Sequence, residues 1–317
     1  MCDGAHDGVS DMGDSKGRKV FVSYSHHQGK WVRERLVPVL KAAGVEVIID
    51  KERFEAGISV YRQMDEEQAG AERTVAVLSG EYLLSEACKH ELKRGVAADP
   101  AFVKGYLIPV RRGECELPGE IKGPNPIYVD LRDDRNAGQW SLLLKGCGGD
   151  LGAEAPDWLA ARDEIVRCLR DQRSVNLVVS GRAEWRGLIE HVKDEHFPDM
   201  GVIDLNSGAT ASRRGLVQEI LRAVGRSTEV PASPEDLVVL ANAFPKNGRH
   251  LLALVRFDRF EERKDYGMDL LLALRNLIEG RHLVLLVESR TPLDAMAPTS
   301  SPWTPLVRTV ELRGAQL

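Results

Sequence analysis

The chain has 317 residues, 43% hydrophobic and 29% charged, which fits a globular protein of about two domains. Its net charge is −5 with basic residues spread among acids, which speaks against a nucleic-acid groove or a polybasic membrane patch. The five cysteines, Cys2, Cys88, Cys115, Cys147 and Cys168, are scattered and lack C-x-x-C pairing, the pattern of reduced thiols in a cytoplasm; no metal site is expected.

Residues 1–17 (MCDGAHDGVSDMGDSKG) have neither a basic n-region nor an apolar h-region and read as a disordered acidic tail. No apolar run in the chain is long enough to span a bilayer, so no membrane contact is expected. Lys19 to Ser25 (KVFVSYS) reads as a strand, and Val32, Leu36, Val39, Leu40 and Ala43 then recur at helical spacing up to a stop at Gly44. Val45 to Ile49 is a second strand closed by Asp50, followed by the polar loop KERFEAG and a helix from about Ser59 to Ala69. Arg73 to Leu78, Tyr106 to Val110 and Ile127 to Leu131 supply three more strands. Short apolar strands alternating with helices predict a parallel sheet covered on both faces, with ligands beyond the carboxyl ends of the strands.

Ser79 to Gly95 (SGEYLLSEACKHELKRG) reads as one helix in which Leu84, Cys88 and Glu91 fall at i, i+4 and i+7 on a stripe, with Leu92 and Val96 beside it. That register turns Glu91 inward, while Glu86, Lys89, His90 and Lys93 face out. A carboxylate on a mostly apolar face is either paired structurally or kept for chemistry, because burying it unsatisfied is costly.

The order KVFVSYS, VEVIID followed by E-x-G, RTVAVLSGEYLLSEACKHEL, YLIPV and IYVDL resembles the Toll/interleukin-1 receptor (TIR) domain of the bacterial type over about Arg18 to Cys147. Its most specific piece is S-x-x-C-x-x-E, matched by Ser85, Cys88 and Glu91. The resemblance implies a flavodoxin-like parallel five-stranded sheet and puts the family's catalytic glutamate on Glu91. It implies that Lys51 to Ser59 is a mobile loop that gates a nucleotide site and makes contacts between TIR domains. Around NAD it implies a lining of Tyr24, Ser25, Asp50, Arg53, Gly57, Ser85 and Cys88, the last as a small buried wall rather than a nucleophile. Ser23 reads as strand-end hydrogen bonding, and His26 and His27 as exposed loop residues. Two positions depart from the family pattern, Ala87 where a tryptophan often stands and Gln28 where an acid does.

Gly146 to Pro156 is a Gly-rich break, so the expected division is a TIR domain over 18–147, a linker over 148–157 and a second domain over 158–317. Trp158 to Leu169 is amphipathic through Leu159, Ile165, Val166 and Leu169. A new αβ series follows: strands at Val175 to Ser180, Gly201 to Leu205, His250 to Phe257 and Leu283 to Val287, with helices after GRAEWRG, at Arg214 to Val224 and around Leu237 to Ala243. This layout resembles the nucleotide-binding core of P-loop ATPases of the STAND and AAA-like kind. A working phosphate loop reads G-x-x-x-x-G-K-[ST], with lysine reaching the phosphates and the hydroxyl binding magnesium. Counting from Gly181, those positions carry Arg186, Gly187 and Leu188, and Asp258 is followed by Arg259 rather than a catalytic glutamate. A degenerate pocket lined by Gly181, Arg182, Arg186 and Asp258, without ATP hydrolysis, is the expectation. The final VELRGAQL falls where a lid or sensor region begins in larger relatives.

The resemblances together imply a cytoplasmic NAD+ glycohydrolase. It would cleave NAD to nicotinamide and ADP-ribose or a cyclised form, needing no cofactor beyond NAD as substrate. Self-association through TIR domains, with a trigger bound at the second domain, would activate it in prokaryotic antiphage immunity. The alternative is a non-enzymatic TIR adaptor or scaffold that signals through TIR–TIR contacts.

Overall fold

The computed structural model describes residues 18–49, 68–122, 126–149, 155–180, 185–226, 229–232, 235–244, 249–296 and 303–313. The chain divides into two compact units, Met1–Asp133 with Leu142–Asp150 and Asp134–Ser141 with Leu151–Leu317. Each has its own five-stranded sheet.

In the first unit the strands are β1 (Lys19–Tyr24), β2 (Glu46–Ile49), β3 (Arg73–Leu78), β4 (Leu107–Arg111) and β5 (Val129–Asp130), in the order β2-β1-β3-β4-β5 and all parallel. Nearly every residue of β1 and β3 is buried, as the continuous apolar runs require of strands covered on both faces. Between β1 and β2 runs α1, a continuous helix made of Gly29–Trp31, a π-helical turn over Val32–Leu36 and Val37–Ala42. The π turn closes with Val37 N–H donating to the Val32 carbonyl, just before Pro38, which brings no N–H of its own. Val32, Leu36, Val39 and Leu40 are buried, and Gly44 ends the helix at φ +80°, a left-handed position that favours glycine.

After β3 the structure departs from the single helix expected. There are two, α2 (Gly80–Leu84) and α3 (Glu86–Ala98), separated by Ser85 in an extended conformation at φ −79° and ψ 123°. Each begins on its own serine cap: the Ser79 hydroxyl accepts from Tyr82 N–H, and the Ser85 hydroxyl accepts from Cys88 N–H. Leu84 therefore leaves the inward stripe and is 80% exposed, while Cys88, Glu91 and Leu92 remain buried. Gly95 lets α3 press onto β4, since a Cβ there would stand 3.1 Å from the Leu107 side chain. A short helix, α4 (Gly119–Lys122), and α5 (Ala137–Cys147) follow. The division between the units falls within α5. Ala76, Leu78, Tyr82, Cys88, Leu92, Leu107 and Ile121 form one buried cluster of this unit.

The second unit is α/β as well. It contains α6 (Ala155–Arg170), β6 (Ser174–Ser180), α7 (Trp185–His196), β7 (Gly201–Asp204), α8 (Arg213–Ala223), α9 (Glu235–Ala243), β8 (His250–Val255), α10 (Arg259–Glu262), α11 (Gly267–Glu279), β9 (Leu283–Ser289), α12 (Leu293–Met296) and β10 (Val307–Arg313). Its parallel sheet has the order β10-β6-β9-β8-β7. The apolar positions of α6, Leu159, Ile165, Val166 and Leu169, are all buried. Four elements add to the expected layout, the helices α10, α11 and α12 and the strand β10, the last taking VELR into the sheet beside β6. Arg213 is a hub of this unit: it bonds both oxygens of Asp236 (2.5 and 2.9 Å), both of Asp269 (2.8 Å each) and the Tyr266 carbonyl (3.2 Å), joining α8 to α9 and α11. Among the described residues no helix is long and apolar enough to cross a membrane.

Candidate functional site

In the strand order β2-β1-β3-β4-β5 the chain reverses direction between β1 and β3, the place where open parallel sheets leave a crevice beyond their carboxyl ends. A cavity of about 370 Å³ lies there, and its walls include Tyr24, Ser25, Ser85, Cys88 and Glu91. Five residues singled out from the sequence thus meet in one place. Asp50, Arg53 and Gly57 lie outside the described residues.

Glu91 forms part of the floor and is only 2% exposed. Its Oε2 accepts a hydrogen bond from the Ser23 hydroxyl at the end of β1, and Ser23 Oγ in turn stands 2.7 Å from the Tyr82 hydroxyl on α2. The Glu91 backbone carbonyl accepts from Gln68 Nε2 at 3.0 Å, and the Gln68 carbonyl accepts from Tyr106 O–H at 2.9 Å. The carboxylate is thus fixed from the side chain and from the main chain. Burial pushes the Tyr82 phenol well above its ordinary pKa, an effect that the nearby Glu91 charge strengthens and the Ser23 bond opposes. Tyr82 stays a neutral donor.

At the rim, Ser25 caps a turn of 3₁₀ helix, His26–Gln28, by accepting from His27 N–H. His26 and His27 are exposed, as expected, but they also line the cavity mouth with Glu81 and Leu84. Backbone N–H donation and the Ser79 hydroxyl hold the Glu81 carboxyl below its usual range. Ala87 lines the same wall. Ser23 makes the strand-end hydrogen bonds expected of it, while nothing local in the sequence points to Tyr82 or Gln68. Ser23 and Tyr82 are 59 residues apart in the chain and Ser23 and Glu91 are 68 apart, so no local spacing signals that they meet.

The second unit also reverses, between β6 and β9. Gly181 and Arg182 lie outside the described residues, as does the side chain of Arg186, while Leu188, at the hydroxyl position of the expected phosphate loop, is fully buried in α7. Asp258 lines a cavity of about 270 Å³ with Arg256, Arg259, Glu262, Glu288 and Arg290. Its carboxylate is occupied, accepting from Arg290 N–H (2.9 and 3.0 Å) and Thr291 N–H (3.3 Å). Glu288 likewise accepts from Arg256 N–H at 2.5 Å.

Residues 20–144 match the family model for the TIR domain. The first unit carries a TIR domain. Mouse Toll-like receptor 12 is 28% identical over an alignment of 163 residues, which takes 44% of this chain and 18% of the receptor. Human Toll-like receptors 6 and 1 are each 31% identical over 72 residues, 23% of this chain and 9% of each receptor. The chain thus spans under a fifth of the length of these relatives. Among solved structures, the TIR domain of the Toll-related receptor TRR-2 from Hydra magnipapillata aligns over 41% of this chain and 98% of its own, with 21% identity and a TM-score of 0.36.

Proposed function

We propose that the first unit hydrolyses NAD, with Glu91 as the catalytic residue. The observation that carries this reading is a buried carboxylate on the floor of a cavity at the sheet's reversal point, oriented by a serine hydroxyl. Breaking the bond between nicotinamide and ribose builds positive charge on the sugar, and a fixed carboxylate in a water-poor site stabilises that charge as it develops. Nicotinamide leaves as a neutral group, so a second carboxyl acting as acid is not required. Water then adds to the sugar carbon to give ADP-ribose, or a nucleophile within the ADP-ribosyl group closes a cyclic product. Tyr24 and Ser25 offer an aromatic face and a hydroxyl to the nucleotide at the end of β1.

Self-association would complete the site. Leu84, exposed on the cavity rim, is a residue that a second copy would cover there. The second unit would act in the cytoplasm as a non-hydrolysing control module that receives a trigger, with antiphage defence as the setting. Its support is the missing lysine and hydroxyl and the backbone-bound Asp258.

The second reading is a scaffold that signals through TIR–TIR contacts. Ala87 in place of an aromatic and Gln28 in place of an acid favour it, and the curated relatives are receptors by name. The discriminating experiment is nicotinamide release from NAD by the purified full chain over a dilution series, beside Glu91→Gln. Release that rises per molecule with concentration and vanishes in Glu91→Gln supports the enzyme; no release at any concentration leaves the scaffold.

A further inference from the structure

The hydroxyls beside Glu91 have a fixed donor order. Ser23 Oγ has one proton and donates it to Glu91 Oε2, so in the 2.7 Å contact between the two hydroxyls Tyr82 is the donor and Ser23 the acceptor. We propose that Tyr82 and Ser23 are positioning residues that form a donor chain aimed at the Glu91 carboxylate, Ser23 by direct contact and Tyr82 by acting through Ser23. The inference rests on the NAD-cleaving reading and adds to it the residues that set the orientation of the reacting group.

Ser23 and Tyr82 are both fully buried, Ser23 on β1 and Tyr82 on α2. Packing alone does not ask for the hydroxyls, since alanine and phenylalanine fill nearly the same volumes, and a buried hydroxyl costs free energy unless it is bonded. Both are satisfied in a line that ends on the carboxylate. The backbone of Glu91 is held separately by Gln68, so the chain has only the side chain to orient. Burial keeps the Tyr82 phenol protonated, so it remains able to donate to Ser23. The other titratable groups around the cavity are Tyr24, His26, His27, Glu81 and Cys88. From α4, which packs against α3, Glu120 and Lys122 face solvent.

The test is a double-mutant cycle on the full chain with Ser23→Ala, Tyr82→Phe and the pair together, with Glu91→Gln as the reference for full loss. Ser23→Ala is expected to lower kcat by about 10- to 100-fold, the worth of a hydrogen bond to a charged group, with KM little changed. Tyr82→Phe lowers it less. The double variant should match Ser23→Ala closely, because Tyr82 has no hydrogen-bonded route to Glu91 once Ser23 Oγ is gone. In both single variants the acid limb of the pH profile of kcat moves to higher pH, since a carboxylate that loses a donor protonates more readily. Additive effects, or an acid limb that does not move, would overturn the proposal.

If the wild-type chain releases no nicotinamide, the enzymatic reading fails and the donor chain is still tested. The Glu91 carboxyl carbon, followed by NMR against pH, should titrate at progressively higher pH in the order wild type, Tyr82→Phe, Ser23→Ala. An unchanged midpoint in Ser23→Ala overturns the chain as well.

Discussion

The two units build the same kind of parallel five-stranded sheet, and both place charged side chains beyond its carboxyl edge, but they use those charges differently. In the first unit Glu91 meets a hydroxyl and faces a cavity. In the second, Asp258 and Glu288 accept backbone N–H groups of neighbouring loops, and the buried amide of Asn176 does similar work, donating to Ser289 and Val287 and accepting from Leu293 N–H. A sheet edge offers a crevice in either case. Whether it becomes a site depends on whether its polar groups bind the protein's own main chain or keep a face toward the opening.

If Glu91 is the catalytic residue we propose, it serves chemistry where Asp236 and Asp258 serve the fold, and the contrast breaks most sharply where a buried ion pair is cut. Asp236→Ala leaves Arg213 without its innermost partner and should destabilise the second unit by about 3–5 kcal/mol, read by denaturant unfolding. Nicotinamide release below the melting transition should be unchanged. Glu91→Gln should do the reverse. It should cost on the order of 10²-fold or more in nicotinamide release, with a melting curve close to that of the wild type, because the amide oxygen can still accept from Ser23. A Glu91→Gln variant that keeps its turnover would move Glu91 into the structural class.

Asp258→Ala sharpens the same contrast at smaller scale. Loss of an acceptor shared by two backbone N–H groups should cost about 1–3 kcal/mol in stability. Neither the variant nor the wild type should release phosphate from ATP above a buffer blank. The smallest effect is expected at Asp99 in the first unit. Desolvation opposes ionisation there, but bonds from the backbone N–H groups of Tyr106, Val103 and Lys104 outweigh it and hold the carboxyl below its ordinary value. A depressed carboxyl contributes stability that is present above its unfolded value, about 3.9, and is lost as pH falls through the lower folded value. Asp99→Asn should therefore lower stability at neutral pH and leave the acid end, where the wild-type carboxyl is protonated, nearly untouched, which flattens the acid side of the stability curve.

Much of the first unit was legible because its signals are local. Continuous apolar runs mark the five strands, and Cys88, Glu91 and Leu92 follow a helical period within α3. Leu84 was misplaced because a period carries across Ser85 in the sequence, whereas the backbone stops there to satisfy a cap. Ser23 and Tyr82 meet Glu91 only through the crossover between strands, which spacing cannot report. In the second unit, β10 escaped notice because Val307, Val310 and Leu312 face inward among Arg308, Thr309 and Glu311, an edge strand broken up by polar residues. The Arg213 hub joins residues 23 and 56 positions apart and has no local signature either.

The elbow at Ser85 makes α2 a lever of only five residues. Leu84 at its outer end points into solvent, and Tyr82, two positions earlier, reaches the hydroxyl that holds Glu91. Whatever grips Leu84 from outside takes hold of the same short helix that carries Tyr82. The mouth of the cavity and the hydroxyl line to its floor are thus anchored two residues apart on one turn of helix.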